Sequence, residues 1–128
     1  EFKPKKLVKL ANGIIDYVIE SQTPSSSNNY TWYRKYKSGW VEQGGRNDGL
    51  NHDATITMPI TMSDISYAVQ LTRLVSTTAD DPASISLQVN TLSTTTFKVR
   101  QTFASDVSCG LGSAPSYAYN WIVFGMSA

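Results

Sequence analysis

The sequence predicts an all-β domain, an antiparallel β-sandwich of about seven or eight strands, and three observations carry that expectation. The first is composition. Among 128 residues there are 16 Ser and 13 Thr but only three Glu, at Glu1, Glu20 and Glu42. Charged residues make up 16%, against about 25% in an average soluble domain, so hydroxyls supply much of the polar surface. Thr, Val, Ile and aromatic residues suit strands, whereas Glu and Lys suit helices. The second observation is a period of two: apolar residues alternate with polar ones in most long segments, and no window of about 11 residues carries a helical stripe. The third is turn chemistry at short intervals. A chain of this length has room for one core, and two packed sheets are the usual solution.

Taken in order, residues 1–13 read as a leader closed by the turn pair Asn12-Gly13, and residues 14–128 as the sandwich. Residues 14–20 are a first strand. Thr23-Pro24-Ser25-Ser26-Ser27-Asn28-Asn29 lies in a loop. Residues 30–37 and 40–43 form a hairpin around Ser38-Gly39, and Gly44-Gly45 ends its second arm. A two-residue turn places Tyr36 opposite Val41 and Lys35 opposite Glu42, an apolar pair on one face and an ion pair on the other. Residues 54–62 alternate, with Ile56, Met58, Ile60 and Met62 on one face; Pro59 lacks an N–H, which marks an edge or a bulge. Ile65, Tyr67, Val69 and Leu71 continue the period after a short link at Ser63-Asp64. Ile85, Leu87 and Val89 lead through a Leu92-Ser93 turn to Phe97, Val99 and Phe103. Residues 105–116 are a Gly/Ser/Pro-rich loop, and residues 117–126 form a strand that is apolar on both faces.

Connections 21–29, 46–52, 77–83 and 104–116 are long, whereas 38–39, 63–66 and 92–94 are short. In an antiparallel arrangement this alternation collects the long loops at one end. Binding residues concentrate on such loops, so Arg46, Asn47, Asp48, His52, Asp80, Asp81 and Tyr117 become the candidate binding residues, with Asn28, Asn29 and Asp106 beside them. If the first strand leads away from the attachment point, this end is the distal one.

The net charge of +1 is a sum of unlike parts. Lys3, Lys5, Lys6 and Lys9 make the first ten residues basic; the remaining 7 basic and 9 acidic residues leave a net of −2. The basic tip reads as a solvated tail or the cut end of a longer chain, and without a basic stripe interleaved with aromatics we expect no nucleic-acid partner. No apolar run approaches the roughly 20 residues of a membrane helix, so no membrane insertion is expected. No signal peptide is visible.

Little in the sequence supports catalysis. His52 is the only histidine and has no nucleophile-elbow sequence near it. Asp80 and Asp81 are adjacent and point apart in an extended segment, which is wrong for paired carboxylates. Asp48, Asn51 and Asp53 do not match a calcium-loop spacing. A single cysteine, Cys109, forms no intrachain disulfide and builds no zinc cluster. We therefore expect no metal, no cofactor and no enzymatic activity. The aromatics remain: Trp32, Tyr33, Tyr36 and Trp40 in nine residues, and Tyr117, Tyr119 and Trp121 in five. They suit sugar stacking or packing, and for Trp32, Tyr36 and Trp121 packing is the better reading. Arg34 shares a face with Trp32 and Tyr36, where a charge needs a partner. In an oligomer Arg34 and Gln43 could meet their counterparts across a symmetry axis.

The run Asn29-Tyr30-Thr31-Trp32-Tyr33-Arg34-Lys35-Tyr36-Lys37-Ser38-Gly39-Trp40-Val41-Glu42-Gln43-Gly44-Gly45 resembles the signature of the C-terminal receptor-binding domain of phage and prophage tail fibres, a family with an H-type-lectin-like fold. Asp16-Tyr17-Val18-Ile19-Glu20, Ile56-Thr57-Met58-Pro59-Ile60-Thr61-Met62 and the ending Phe124-Gly125-Met126 are similar in pattern, so the resemblance spans residues 14–128. It implies a parallel homotrimer at the tip of a virion fibre, extracellular during host attachment. Residues 1–13 would then be the end of an upstream fibre stalk. It further implies binding of a bacterial surface glycan such as lipopolysaccharide. It assigns Trp32, Arg34, Gln43 and Trp121 to the trimer or the scaffold, with no receptor contact carried over. The rival readings are a structural trimerisation domain of a fibre and a glycan-degrading enzyme.

Overall fold

The computed structural model describes residues 7–9, 13, 15–74, 84–104, 109–110 and 118–128. These form ten strands: β1 (Leu7–Lys9), β2 (Ile15–Gln22), β3 (Trp32–Tyr36), β4 (Trp40–Asn47), β5 (Asp53–Thr57), β6 (Ala68–Arg73), β7 (Ser84–Asn90), β8 (Thr96–Ala104), β9 (Cys109–Gly110) and β10 (Tyr119–Met126). Eight of them are five residues or longer. A single 3₁₀ turn, Ser26–Asn28, is the only helical element among the described residues, so no helix there is long and apolar enough to cross a membrane. The domain is all-β, as its composition demands.

One sheet runs β1-β2-β3-β4-β10-β6 and the other β5-β8-β7, with β9 added to β8; every pairing is antiparallel. Residues 7–9 of the expected leader pair with β2. β10 is apolar on both faces because it lies in the middle of the larger sheet, between β4 and β6. Its odd-numbered residues point inward. Tyr119, Trp121 and Val123 join Ile56, Met58, Met62, Tyr67, Phe97 and Val99 in one core drawn from both sheets. Phe97 meets Trp121 edge to face at 5.6 Å, the arrangement that ring quadrupoles favour.

The hairpin register differs from the expected one by one residue. Lys35 pairs with Val41 and Arg34 with Glu42. The loop has three residues rather than two, with Gly39 in the left-handed region at φ 94° and its N–H donating to the Tyr36 carbonyl. Asp16 holds this loop: Oδ1 accepts the Ser38 N–H at 3.0 Å and Oδ2 accepts the Ser38 hydroxyl at 2.6 Å. Because a one-residue slip reverses the faces, Gln43 leaves the face of Arg34 and turns into the core. It is fully buried there. Its amide acts as a strand partner for the 58–62 segment, with Nε2 donating to the Ile60 carbonyl at 3.0 Å and Oε1 accepting the Ile60 N–H at 2.8 Å. The Gln43 amide is therefore spent on contacts within its own chain and is not free to meet a counterpart.

Further expectations are corrected. Gly44-Gly45 does not end a strand but lies within β4. A Cβ on Gly44 would come within 2.7 Å of the Trp32 ring and of the Trp121 carbonyl, and one on Gly45 within 2.8 Å of the Trp121 ring. The two glycines give two tryptophans room on opposite faces of one strand. The strand expected over 54–62 stops at Thr57, before Pro59, and residues 58–67 cross from the smaller sheet to the larger. Met62 bridges Ser127 on the way. That connection is ten residues long, so the alternation of long and short connections is not strict, and Ile65 is exposed rather than in the core.

Candidate functional site

The ends of the sandwich are distinct. Asn47, Tyr119 and Arg73 lie side by side across β4, β10 and β6. The His52 carbonyl accepts the Gln101 N–H at 2.7 Å, just before the start of β5. The β2–β3, β4–β5 and β6–β7 connections leave from this end, which we call the loop end. The hairpin loop at 37–39 and the 91–95 turn lie at the other, the turn end.

Of the expected binding residues, Arg46, Asn47, Asp48 and His52 meet at the loop end. Asp80, Asp81, Asp106 and Tyr117 lie outside the described residues. Asn47 and Asp48 use their side chains to build a turn: their Oδ1 atoms accept the Gly49 N–H at 2.8 Å and the Leu50 N–H at 3.0 Å. That turn thrusts Leu50 outward with 77% of its surface exposed. His52 is half-buried, and Arg46 is exposed on the outer face of the larger sheet.

The packing also assembles a surface that the sequence reading did not single out. Tyr30 follows Asn29, and both take left-handed backbone conformations, φ 57° and 56°. Such conformations are strained for non-glycine residues. Local hydrogen bonds hold them: Tyr30 N–H to the Ser25 carbonyl at 2.8 Å, Thr31 N–H to the Asn28 carbonyl at 3.1 Å, and Arg46 N–H to the Asn29 carbonyl at 3.1 Å. Gln22 Nε2 clamps the Thr31 carbonyl at 2.9 Å. The strained pair leaves Tyr30 48% exposed, beside Trp32. Tyr30, Trp32, Pro24, Arg46, Asn120 and Ile122 line a groove of about 310 Å³. On the other side of Trp32 and Pro24, Ser21, Gln22, Thr23, Tyr33 and Arg34 line a second of about 290 Å³. The signal in the sequence was the density of aromatics; the contributions of Asn120 and Pro24 depend on tertiary contacts.

Of the expected trimer or scaffold residues, Trp32 and Arg34 lie on the outer face and Trp121 and Gln43 on the inner one. Arg34 stands 6.0 Å from the Trp32 ring centre and 3.9 Å from Glu42. A different surface occupies the turn end, where Trp40, Tyr67, Phe124 and Met126 line an apolar hollow of about 310 Å³ with Asp64 at its rim.

Electrostatics are mild. Burial pushes the Asp16 carboxyl up, but the Ser38 hydroxyl and the Ser38 and Tyr17 N–H groups outweigh it and hold Asp16 below its ordinary range. The hydrogen bond from Arg100, at 2.9 Å, lowers Asp53. Burial and, secondarily, Asp48 push the Tyr119 phenol up to about 12. Its hydroxyl has no hydrogen-bond partner among the described residues. Those residues contain no cluster of three or more His, Cys, Asp or Glu that could hold a metal.

No family profile and no curated protein matches the sequence. The fold is similar to that of two solved structures. One is an N-truncated R2-type pyocin tail fibre, with a TM-score of 0.55 and 16% identity over 84% of this chain and 38% of that one. The other is the C-terminal part of an R2 pyocin fibre of P. aeruginosa, with a TM-score of 0.52 and 18% identity over 85% of this chain and 26% of that one. The chain thus spans well under half of each fibre chain whose fold it resembles.

Proposed function

We propose that the chain is the tip domain of a phage-type tail fibre and binds a bacterial surface glycan, lipopolysaccharide being the expected class, without cleaving it. The observation that carries this reading is the fold shared with R2 pyocin tail fibres. Strand β2 runs from the turn end to the loop end and residues 7–9 pair with its first half, so a stalk attached ahead of residue 7 would leave the loops distal. Three copies would be held together through apolar surface at the turn end, where Trp40 is 39% and Met126 46% exposed, since contiguous exposed apolar patches mark protein contacts. Three linked sites would then add avidity to weak single contacts.

The state of the carboxylates supports binding rather than cleavage. Five of the six described ones accept a hydrogen bond, Asp16 from Ser38, Glu20 from Tyr33, Asp48 from Leu50, Asp53 from Arg100 and Asp64 from Ser66, and the sixth, Glu42, lies 3.9 Å from the Arg34 guanidinium. Glycoside cleavage needs two carboxyl groups facing one bond.

Adsorption of the labelled domain to a panel of bacteria, before and after removal of surface polysaccharide, tests the reading. Adsorption that disappears with the polysaccharide is expected. Release of reducing sugar would make the protein an enzyme, and a trimer by sedimentation that adsorbs to nothing would make it a structural lock.

A further inference from the structure

We propose that the two grooves flanking Trp32 form one continuous track for an acidic saccharide, a chain of sugar rings bearing carboxylate or phosphate groups. This rests on the glycan-binding reading above and gives it a location and a ligand class.

Four observations converge. First, the grooves share Trp32 and Pro24 as a common wall, so a ligand longer than one ring would pass over the indole from one to the other. Each groove, at about 310 and 290 Å³, lies at the small end of the range of ligand clefts, about 300–1,000 Å³, and suits a ring or two rather than a protein segment. Second, the lining mixes aromatic faces with a few polar groups. Tyr30 and Trp32 offer π surfaces to the C–H face of a pyranose, and the exposed Asn120 amide can both donate to and accept from hydroxyls. The turn-end hollow, by contrast, has Asp64 as its charged lining residue and no cation.

Third, each groove carries one arginine. Arg46 is exposed and makes no ion pair among the described residues. Arg34 is 58% exposed, and its contact with Glu42, at 3.9 Å, is too long to be a hydrogen bond. Both guanidinium groups therefore have N–H donors to offer, and their planar fork matches carboxylate and phosphate oxygens. Two cations along one aromatic track select against neutral sugars. Fourth, the platform is built in advance. The left-handed Asn29-Tyr30 pair is held by hydrogen bonds from the Tyr30, Thr31 and Arg46 N–H groups, so Tyr30 is presented without ordering a loop on binding. Trp32 and Arg34 become ligand contacts in this account rather than contacts between copies.

Titration calorimetry of the whole domain with alginate oligomers (carboxylate), phosphomannan oligomers (phosphate) and dextran oligomers (neutral) tests the proposal. At least one acidic probe should bind about tenfold or more tightly than dextran, and rising salt should weaken it; which one binds separates a carboxylate from a phosphate ligand. Arg46→Gln and Arg34→Gln should each lose about tenfold toward the acidic probe and leave any dextran affinity unchanged. Tyr30→Ala should weaken both, with the wild-type melting temperature retained. Failure of the wild type to bind either acidic probe overturns the track. So does a wild-type affinity in all three variants; if that domain still adsorbs to cells through their polysaccharide, only this inference fails. A loss of trimer mass in Arg34→Gln would assign that face to a neighbouring copy and would likewise overturn it.

Discussion

The two outer faces of the sandwich are made from the same kind of strand and carry opposite surfaces. On the smaller sheet, the outward rows are Asp53, Arg100 and Gln88, then Thr55, Lys98 and Asn90, then Thr102 and Ser86. Hydroxyls, amides, one ion pair and the Lys98 ammonium face water. The outer face of the larger sheet carries Trp32, Arg34, Trp40, Glu42, Ile122, Phe124 and Met126. Exposed apolar area of that kind is a cost unless something covers it. The proposed saccharide track and the proposed contact between copies both draw on that face.

The largest effect should come from the core beneath both faces. Trp121→Ala removes the ring that packs on Phe97 and over Gly45, and should cost about 3–5 kcal/mol in a denaturant titration. A smaller loss would show that the two sheets are not joined through this residue. Next, placing charge on the apolar end of the larger sheet, Trp40→Glu with Met126→Glu, should shift the sedimenting species from trimer toward monomer. An unchanged mass would remove this patch from the contact between copies.

Asp16→Ala should cost about 1–3 kcal/mol, because the charge-assisted hydrogen bonds from the Ser38 N–H and hydroxyl lose their acceptor. Asp16 sits below its ordinary pKa of about 3.9 in the folded state. Its stabilisation is therefore present above about pH 4 and is lost as the pH falls through the folded value. Asp16→Asn should flatten the acid limb of stability against pH. At the other extreme, Tyr119 is raised to about 12, so its contribution is complete below about pH 10 and is lost as the pH rises toward 12. Tyr119→Phe should be near neutral in stability at pH 7, because the hydroxyl it removes has no hydrogen-bond partner among the described residues, and should reduce the alkaline loss. The smallest effect belongs to the polar face: Asp53→Asn should leave the melting temperature where it was, as expected of an exposed ion pair. A clear drop there would mean that the two outer faces are less different than they look.

Much of this was legible in the chain. The all-β class, the strands over residues 15–22, 84–90, 96–104 and 119–126, and the gathering of Arg46, Asn47, Asp48 and His52 at one end all follow from alternation and turn residues. The hairpin was legible too, but not its register. Ser38-Gly39 reads as a two-residue turn, and only the grip of Asp16, twenty-two residues earlier, shows that Lys37 belongs to the loop. That single residue reversed the face of Gln43. Gly44-Gly45 misled for a related reason: glycine usually ends strands, and nothing local says that two tryptophans need the space.

By itself, then, the sequence determined which segments are strands and which of their residues prefer to be dry, because a period of two and the chemistry of Gly, Pro and Asn act within a few residues. The tertiary structure alone decided the register, the crossing of residues 58–67 between sheets, and the joining of Tyr30, Trp32, Arg46 and Asn120 into one surface. Those depend on contacts between distant parts of the chain, such as Asp16 with Ser38 and Gln43 with Ile60, whose energy exists only once the sheets have formed.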